Sequence, residues 1–329
     1  MIELEHHTLR FSFPEIHRDA HCGISFMRTL RIPDDDRTYP LPPGLSRFPL
    51  RHVDDCAAKL PGSWGRHGGV FLPMYQSEAM WLSFSGEYPM AVRIAAGKVS
   101  ALTGAPWQDQ LSEGPDQDYL VIPEQPWLDG FFAGKGLIRQ FVAMPLGEGY
   151  TAEEQITGEG EHGGLQIAVY PMKAAEFDRL GLDRDLRADN VMYCASPASG
   201  PEMGLAPGGT MQQEIYEDPY GIGAWEQDAK SRCFVHILNS VQYFLVTHEK
   251  PPTQPPTAKE YTDAGLPWFE YYDAEHKALD SPTKLSKLKS IAEMKARERG
   301  SELPHNEPVS PRNVVTLSKH GPVVREGDF

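Results

Sequence analysis

The sequence predicts an α+β fold: a β-rich body with antiparallel or mixed sheets, then a mixed C-terminal segment and a terminal amphipathic helix. Three observations carry that expectation. Short apolar runs, several alternating with polar residues and closed by Pro or Gly, recur through the first half of the chain. No strand–helix–strand alternation follows them, which argues against a doubly wound parallel sheet. A single sustained helical stripe stands near the C-terminus. The expected organisation is a β-rich domain over 1–173, a mixed α/β segment packing on it over 174–280, an amphipathic helix over 281–300 and an extended arm over 301–329. With 329 residues the chain is long enough for roughly two domains, or for one large β-rich one.

Leu9, Phe11 and Phe13 alternate with Arg10 and Ser12, as a strand with one buried face requires, and Pro14 stops the run. Ile24 to Ile32 is a second strand candidate, in which Arg28 and Arg31 break the alternation. Four prolines in the stretch from Tyr39 through Pro49 impose an extended segment. Met90 to Leu102 reads as a hairpin turning at Ala96-Gly97. Val70 onward, Trp81 to Phe84, Tyr119 to Ile122, Leu137 to Met144 and Leu165 to Tyr170 are further strands. Thr151 and Glu154 have the spacing of a capping box.

Beyond residue 173 the pattern changes. Ala174 to Leu186 is helical in pattern, with Gly181 interrupting it, and residues 196–210 read as a Pro/Gly/Ser-rich loop. Cys233 to Val246 suits either a strand followed by a helix or one buried helix. Pro251-Pro252 and Pro255-Pro256 then force an extended linker. Ser281 as N-cap, Pro282 at the first helical position and Gly300 as the stop delimit the expected helix, with Leu285, Leu288, Ile291 and Met294 along its apolar stripe. Residues 284–299 hold six Lys/Arg against two Glu, so a basic helix should dock on an acidic body or on a neighbouring copy.

Net charge is −15 and the pI is near 5.2, which disfavours nucleic acid and anionic membrane surfaces as partners. No run of apolar residues is long enough for a transmembrane helix, and the N-terminus lacks the pattern of a secretory signal. Cys22, Cys56, Cys194 and Cys233 are widely spaced with no CxxC, as in a reduced cytosolic protein.

Several phrases occur together: Tyr39-Pro-Leu-Pro-Pro-Gly-Leu45, Gly68-Gly-Val-Phe-Leu-Pro-Met-Tyr-Gln76, Gln125-Pro-Trp-Leu-Asp-Gly130, Arg139-Gln-Phe-Val-Ala143, Gly163-Gly-Leu-Gln166, Ile215-Tyr-Glu-Asp-Pro219 and Ala264-Gly-Leu-Pro-Trp-Phe-Glu-Tyr-Tyr-Asp273. As a set, over residues 28–275, they resemble a group of uncharacterised bacterial and fungal proteins. The resemblance implies no activity and no catalytic residue.

Four clusters are candidate sites. His17, His21 and Cys22 offer imidazole and thiolate to a metal, although their flanks read as strand and turn. Cys233 and His236 bring a thiol near a base only if that segment is helical. Glu214, Glu217 and Asp218, beside Tyr220 and Trp225, have the composition of an acid–base pair against aromatic walls. Trp127, Asp129, Arg139 and Gln140 stand around glycines 130, 134 and 136 as a polar pocket or as a tight turn with a buried Trp. The Gly158-x-Gly160-x-x-Gly163 spelling lacks a strand–turn–helix context and is rejected as a dinucleotide fingerprint. No cofactor is implied. The expected function is therefore a non-enzymatic cytosolic binding or self-assembling protein, a homo-oligomer with tail contacts between subunits and an unidentified small-molecule ligand. The alternative is a hydrolase using the acidic group or the His/Cys group.

Overall fold

The structure is a computed structural model that describes residues 1–112, 117–182, 202–271, 276–280, 284–299 and 302–317. Its α+β architecture is β-rich as expected. Strands from Ile2 to Asn239 join one 17-stranded sheet, mostly antiparallel, around a dominant core that includes Phe11, Phe26, Val92, Phe141, Ile167, Trp225 and Trp268. Two of its pairings are parallel: Val70–Met74 with Ser231–Asn239, and Thr38–Tyr39 with Met203–Gln212.

Local signals set many of these elements. Met90–Ala96 and Val99–Ser100 form a hairpin whose two turn residues, Gly97 and Lys98, both have positive φ (57° and 58°). A two-residue loop of this kind matches the twist of the strands it joins. The capping box at Thr151 and Glu154 is made in both directions and starts the helix Ala152–Thr157. The helix Ala174–Leu180 ends at Gly181 in the left-handed conformation; its expected continuation to Leu186 reaches beyond the described residues. Of the alternatives for Cys233 to Val246, the strand-then-helix one holds: Ser231–Asn239 is extended, and Asn239 caps the helix Ser240–Thr247.

Two expectations differ from the structure. The expected loop at 196–210 is, from Met203, the strand Met203–Gln212, which pairs along the length of Leu137–Pro145. Its glycines mark close approach rather than a turn: a Cβ on Gly209 would lie 2.3 Å from the Pro33 carbonyl oxygen. Through this strand and Ser231–Asn239, the second half of the chain joins the sheet of the first.

The basic amphipathic segment is also not one helix. Leu285–Lys287 is a short 3-10 turn, Leu288 is extended, and the helix Ile291–Arg299 follows. A second capping box explains the restart. The Ser290 hydroxyl accepts from Glu293 N (3.2 Å), and the Glu293 carboxylate accepts from Ser290 N (2.6 Å). Ser281, Pro282 and Gly300, expected to bound the helix, lie outside the described residues. Leu285, Leu288 and Ile291 are buried against this same chain. Among the described residues no helix is long and apolar enough to cross a membrane.

Candidate functional site

Arg28 and Arg31, the two residues that break the apolar pattern of their segment, tie together segments far apart in the chain. Arg28 is the last residue but one of the strand His21–Thr29 and is fully buried. Its guanidinium forks onto Glu78 Oε1 through Nε (2.7 Å) and Nη2, and Nη2 also donates to the Thr253 carbonyl (2.6 Å). Glu78 Oε2 accepts from Tyr75 N (2.9 Å). Burial pushes the Glu78 carboxyl up, and Arg28 pulls against that shift. Tyr75 adds a second tie to the linker by donating its hydroxyl to the Pro252 carbonyl (3.0 Å). The proline-rich linker is therefore fastened to the turn 75–78, which joins the strands Val70–Met74 and Ala79–Ser85.

Arg31 fastens the C-terminal arm. Its Nη2 donates to the carbonyls of Pro304 and His305, the latter at 3.1 Å. Three residues on, Asp34 and Asn306 hydrogen-bond reciprocally (2.8 and 3.0 Å), and the Asp34 carboxylate accepts from Ala292 N at the start of the C-terminal helix (2.7 Å). Between these ties lies a cleft of about 400 Å³, lined among others by Arg31, Tyr75, Glu78, Gln254, Lys295 and His305. That volume falls at the small end of ligand pockets.

Arg31 is unusual within this cleft. Its Nη1 is shut off from solvent and makes no hydrogen bond to a described residue. No carboxylate among the described residues forms an ion pair with it. Burial pulls the guanidinium below its ordinary value, and Asp34 and Glu307 oppose that from farther away. Lys295 also makes no ion pair among the described residues; its ammonium sits 5.3 Å from the centre of the Tyr150 ring.

The residues singled out from the sequence lie elsewhere and are not gathered around one point. His17 stacks on Tyr88 (5.3 Å) and lies tilted against Phe177 (5.0 Å), and its Nδ1 accepts from Asp19 N. Cys22 is buried, and burial pushes its thiol up to about 12; His21 neighbours it on a strand and so faces the other way. Among the described residues no group of three or more His, Cys, Asp or Glu is placed to hold a metal ion. Cys233 and His236 also lie on a strand and face opposite sides. The Cys233 thiol is pushed up to about 12 by burial. His236 stacks between Trp64 (4.3 Å) and Phe234 (4.4 Å), and burial holds it down to about 3.

The acidic group is dispersed in its bonding. Asp218 accepts from Tyr119 Oη (2.6 Å), Trp225 Nε1 (2.8 Å) and Tyr220 N (2.8 Å). Glu217 pairs with Lys277 at the surface, and the Glu214 carbonyl accepts from Gln125. The void beside Glu214 is about 20 Å³, room for one water. Trp127 and Asp129 do meet, the indole N–H donating to the Asp129 carboxyl at 2.5 Å. Arg139 and Gln140 are not part of that contact. Arg139 reaches Glu293 (3.4 Å), whereas Gln140 is buried and bridges Leu30 O and Ile32 N. The GxGxxG spelling also resolves structurally: the backbone N–H groups of Glu161, His162 and Gly163 surround the buried Glu153 carboxylate at 2.8–3.0 Å. The chain fills its own anion nest.

Arg31, Glu78, Gln254, Lys295 and His305 escape sequence reasoning because they come from five separate segments. The one available signal is the pair of arginines inside an apolar run. No protein-family model, curated protein or solved structure matches this chain.

Proposed function

We propose that this chain is a cytoplasmic, non-catalytic binding protein whose small-molecule site is the cleft between the linker and the C-terminal arm. One observation carries the reading: Arg28 and Arg31 spend their hydrogen bonds fastening linker and arm around a space that stays open. Three polar groups of the cleft are committed to structure. Glu78 is held by Arg28 and Tyr75 N, the Tyr75 hydroxyl by Pro252, and the Thr257 hydroxyl by its capping box with Glu260. Free thiols at Cys22, Cys56 and Cys233 support a reducing compartment.

Ligand-observed NMR with a panel of small organic acids, amines and alcohols tests this. At least one class is expected to bind saturably, and Gln254→Trp, which fills the cleft from its exposed rim, is expected to abolish that binding. Binding by no class, or binding untouched by Gln254→Trp, contradicts the proposal.

A second reading, self-association, is favoured by the strand Val314–Leu317. It pairs in parallel with Trp268–Tyr271 on one edge, and Val314, Val315 and Leu317 are exposed. An exposed apolar edge strand is a template for a second chain. Light scattering is expected to give a dimer that Val315→Lys converts to monomer; a monomeric wild type removes this reading.

A further inference from the structure

Resting on the binding role of the cleft, we infer that its ligand is an organic carboxylate whose charged end meets Arg31 Nη1, with Lys295 as the second cation. The case begins with hydrogen-bond accounting. Both Nη2 hydrogens of Arg31 have acceptors in the arm, at Pro304 O and His305 O. Nη1 carries two more, is shut off from water, and has no partner among the described residues. Buried polar groups are nearly always satisfied, and a buried charge without a counter-charge is the costliest exception. An acceptor reaches Nη1 only where the chain that covers it gives way by the width of an oxygen, and an anionic acceptor completes the site best.

Charge sorting narrows the class. Glu78 is the one carboxylate among the residues that line the cleft, and it is taken by Arg28. Asp34, which acts on Arg31 from a distance, is committed to Ala292 N. Glu260 lies on the His305 side and is committed to Thr257. The lining residues thus present two cations without an ion pair, Arg31 and Lys295, and no uncommitted carboxylate; Glu307, which also acts on Arg31 from farther away, is not among them. A cationic ligand is repelled. A neutral ligand satisfies hydrogen bonds at Nη1 but not its charge.

The walls then separate carboxylate from phosphate. Tyr75, Pro255, Pro256 and Leu303 supply apolar surface beside the two cations. A carboxylate has two oxygens to satisfy and can carry an apolar body onto those residues. A phosphate dianion brings three oxygens and twice the charge to desolvate, with only one free guanidinium nitrogen and one ammonium to receive it.

Isothermal titration calorimetry of the full chain at pH 7 and low salt tests the inference. The probes are hexanoate, hexanol and hexylamine, which share one body and differ in charge, together with glutarate and inorganic phosphate. At least one of the two carboxylates is expected to bind saturably and more tightly than the alcohol, the amine and phosphate. Arg31→Gln is expected to weaken that carboxylate about tenfold or more. Because Arg31→Gln also removes two ties to the arm, Lys295→Met is the second variant. It leaves those ties intact and is expected to weaken carboxylate binding while leaving the thermal midpoint unchanged. Phosphate, alcohol or amine binding as tightly as the better carboxylate overturns the inference and leaves the binding role standing. Carboxylate affinity unchanged in Lys295→Met, or in folded Arg31→Gln, also overturns it. Failure of every probe class to bind wild type removes the binding role itself.

Discussion

Glu78→Ala is expected to cost about 3–5 kcal/mol of folding stability at pH 7, among the largest effects available to a single substitution in this chain. The side chains of Arg28 and Glu78 are both about 1 % exposed, so the pair is screened by almost no water. The attraction between them offsets the desolvation of both ions only while both are present. Removing the carboxylate leaves a buried guanidinium with the Thr253 carbonyl and the Phe48 ring, 5.5 Å away, as its remaining partners. Urea denaturation reads the loss directly, and the slope m is expected to stay unchanged because the surface exposed on unfolding is nearly the same. A double variant, Arg28→Met with Glu78→Leu, is expected to recover most of the loss, since well-packed apolar residues replace such pairs at little cost. A loss below about 1 kcal/mol in Glu78→Ala means that the pair is not desolvated as described. Arg93 and Asp118 form the second such pair, in which Arg93 also donates to the carbonyls of Gln108 and Gln110.

Asp129→Asn is expected to change how stability depends on pH. Burial raises the Asp129 carboxyl from its ordinary 3.8 to about 7, and the Trp127 indole hydrogen bond pulls the other way without cancelling it. The folded state therefore holds this proton more tightly than the unfolded chain does. Its contribution to stability is fully present below about pH 4, falls as pH rises towards 7, and is lost above that. A difference of roughly three pH units corresponds to about 4 kcal/mol. Asn cannot ionise, and its side-chain carbonyl can still accept from Trp127 Nε1. Stability profiles from pH 4 to 8 are expected to diverge in favour of Asp129→Asn as pH rises, by an amount of that order. Parallel profiles contradict the assignment.

The elements that were legible from the sequence are those specified by neighbours along the chain. The hairpin expected to turn at Ala96-Gly97, which turns one residue on at Gly97-Lys98, and the Thr151–Glu154 capping box each need only a few consecutive residues. Asn239 separates strand from helix just as locally, and periodicity could not choose between those alternatives without the cap. The misread strand Met203–Gln212 shows the opposite case: its glycines serve close packing against Pro33 and Val142, partners far away in sequence. The expected helix start was Ser281, whereas the helix Ile291–Arg299 begins at a capping box of Ser290 and Glu293.

The site was less legible for the same reason. Arg31 and His305 meet across 274 positions, and Arg28 and Thr253 across 225. Neither lies in a motif. The clusters that looked chemical were drawn from residues close in sequence, and strand geometry turned Cys233 from His236 and Cys22 from His21. Arg28 and Arg31, which looked like faults in a strand pattern, were the informative residues.

The central claim is that Arg31 Nη1 is a binding group awaiting an anion. A crystal structure of the chain grown with whichever of hexanoate or glutarate binds more tightly tests it most directly. The account predicts a carboxylate oxygen about 2.7–2.9 Å from Nη1, inside the cleft beneath the arm. A cleft with no carboxylate in crystals that hold the probe elsewhere, or a carboxylate in the cleft that leaves Nη1 untouched, would contradict it.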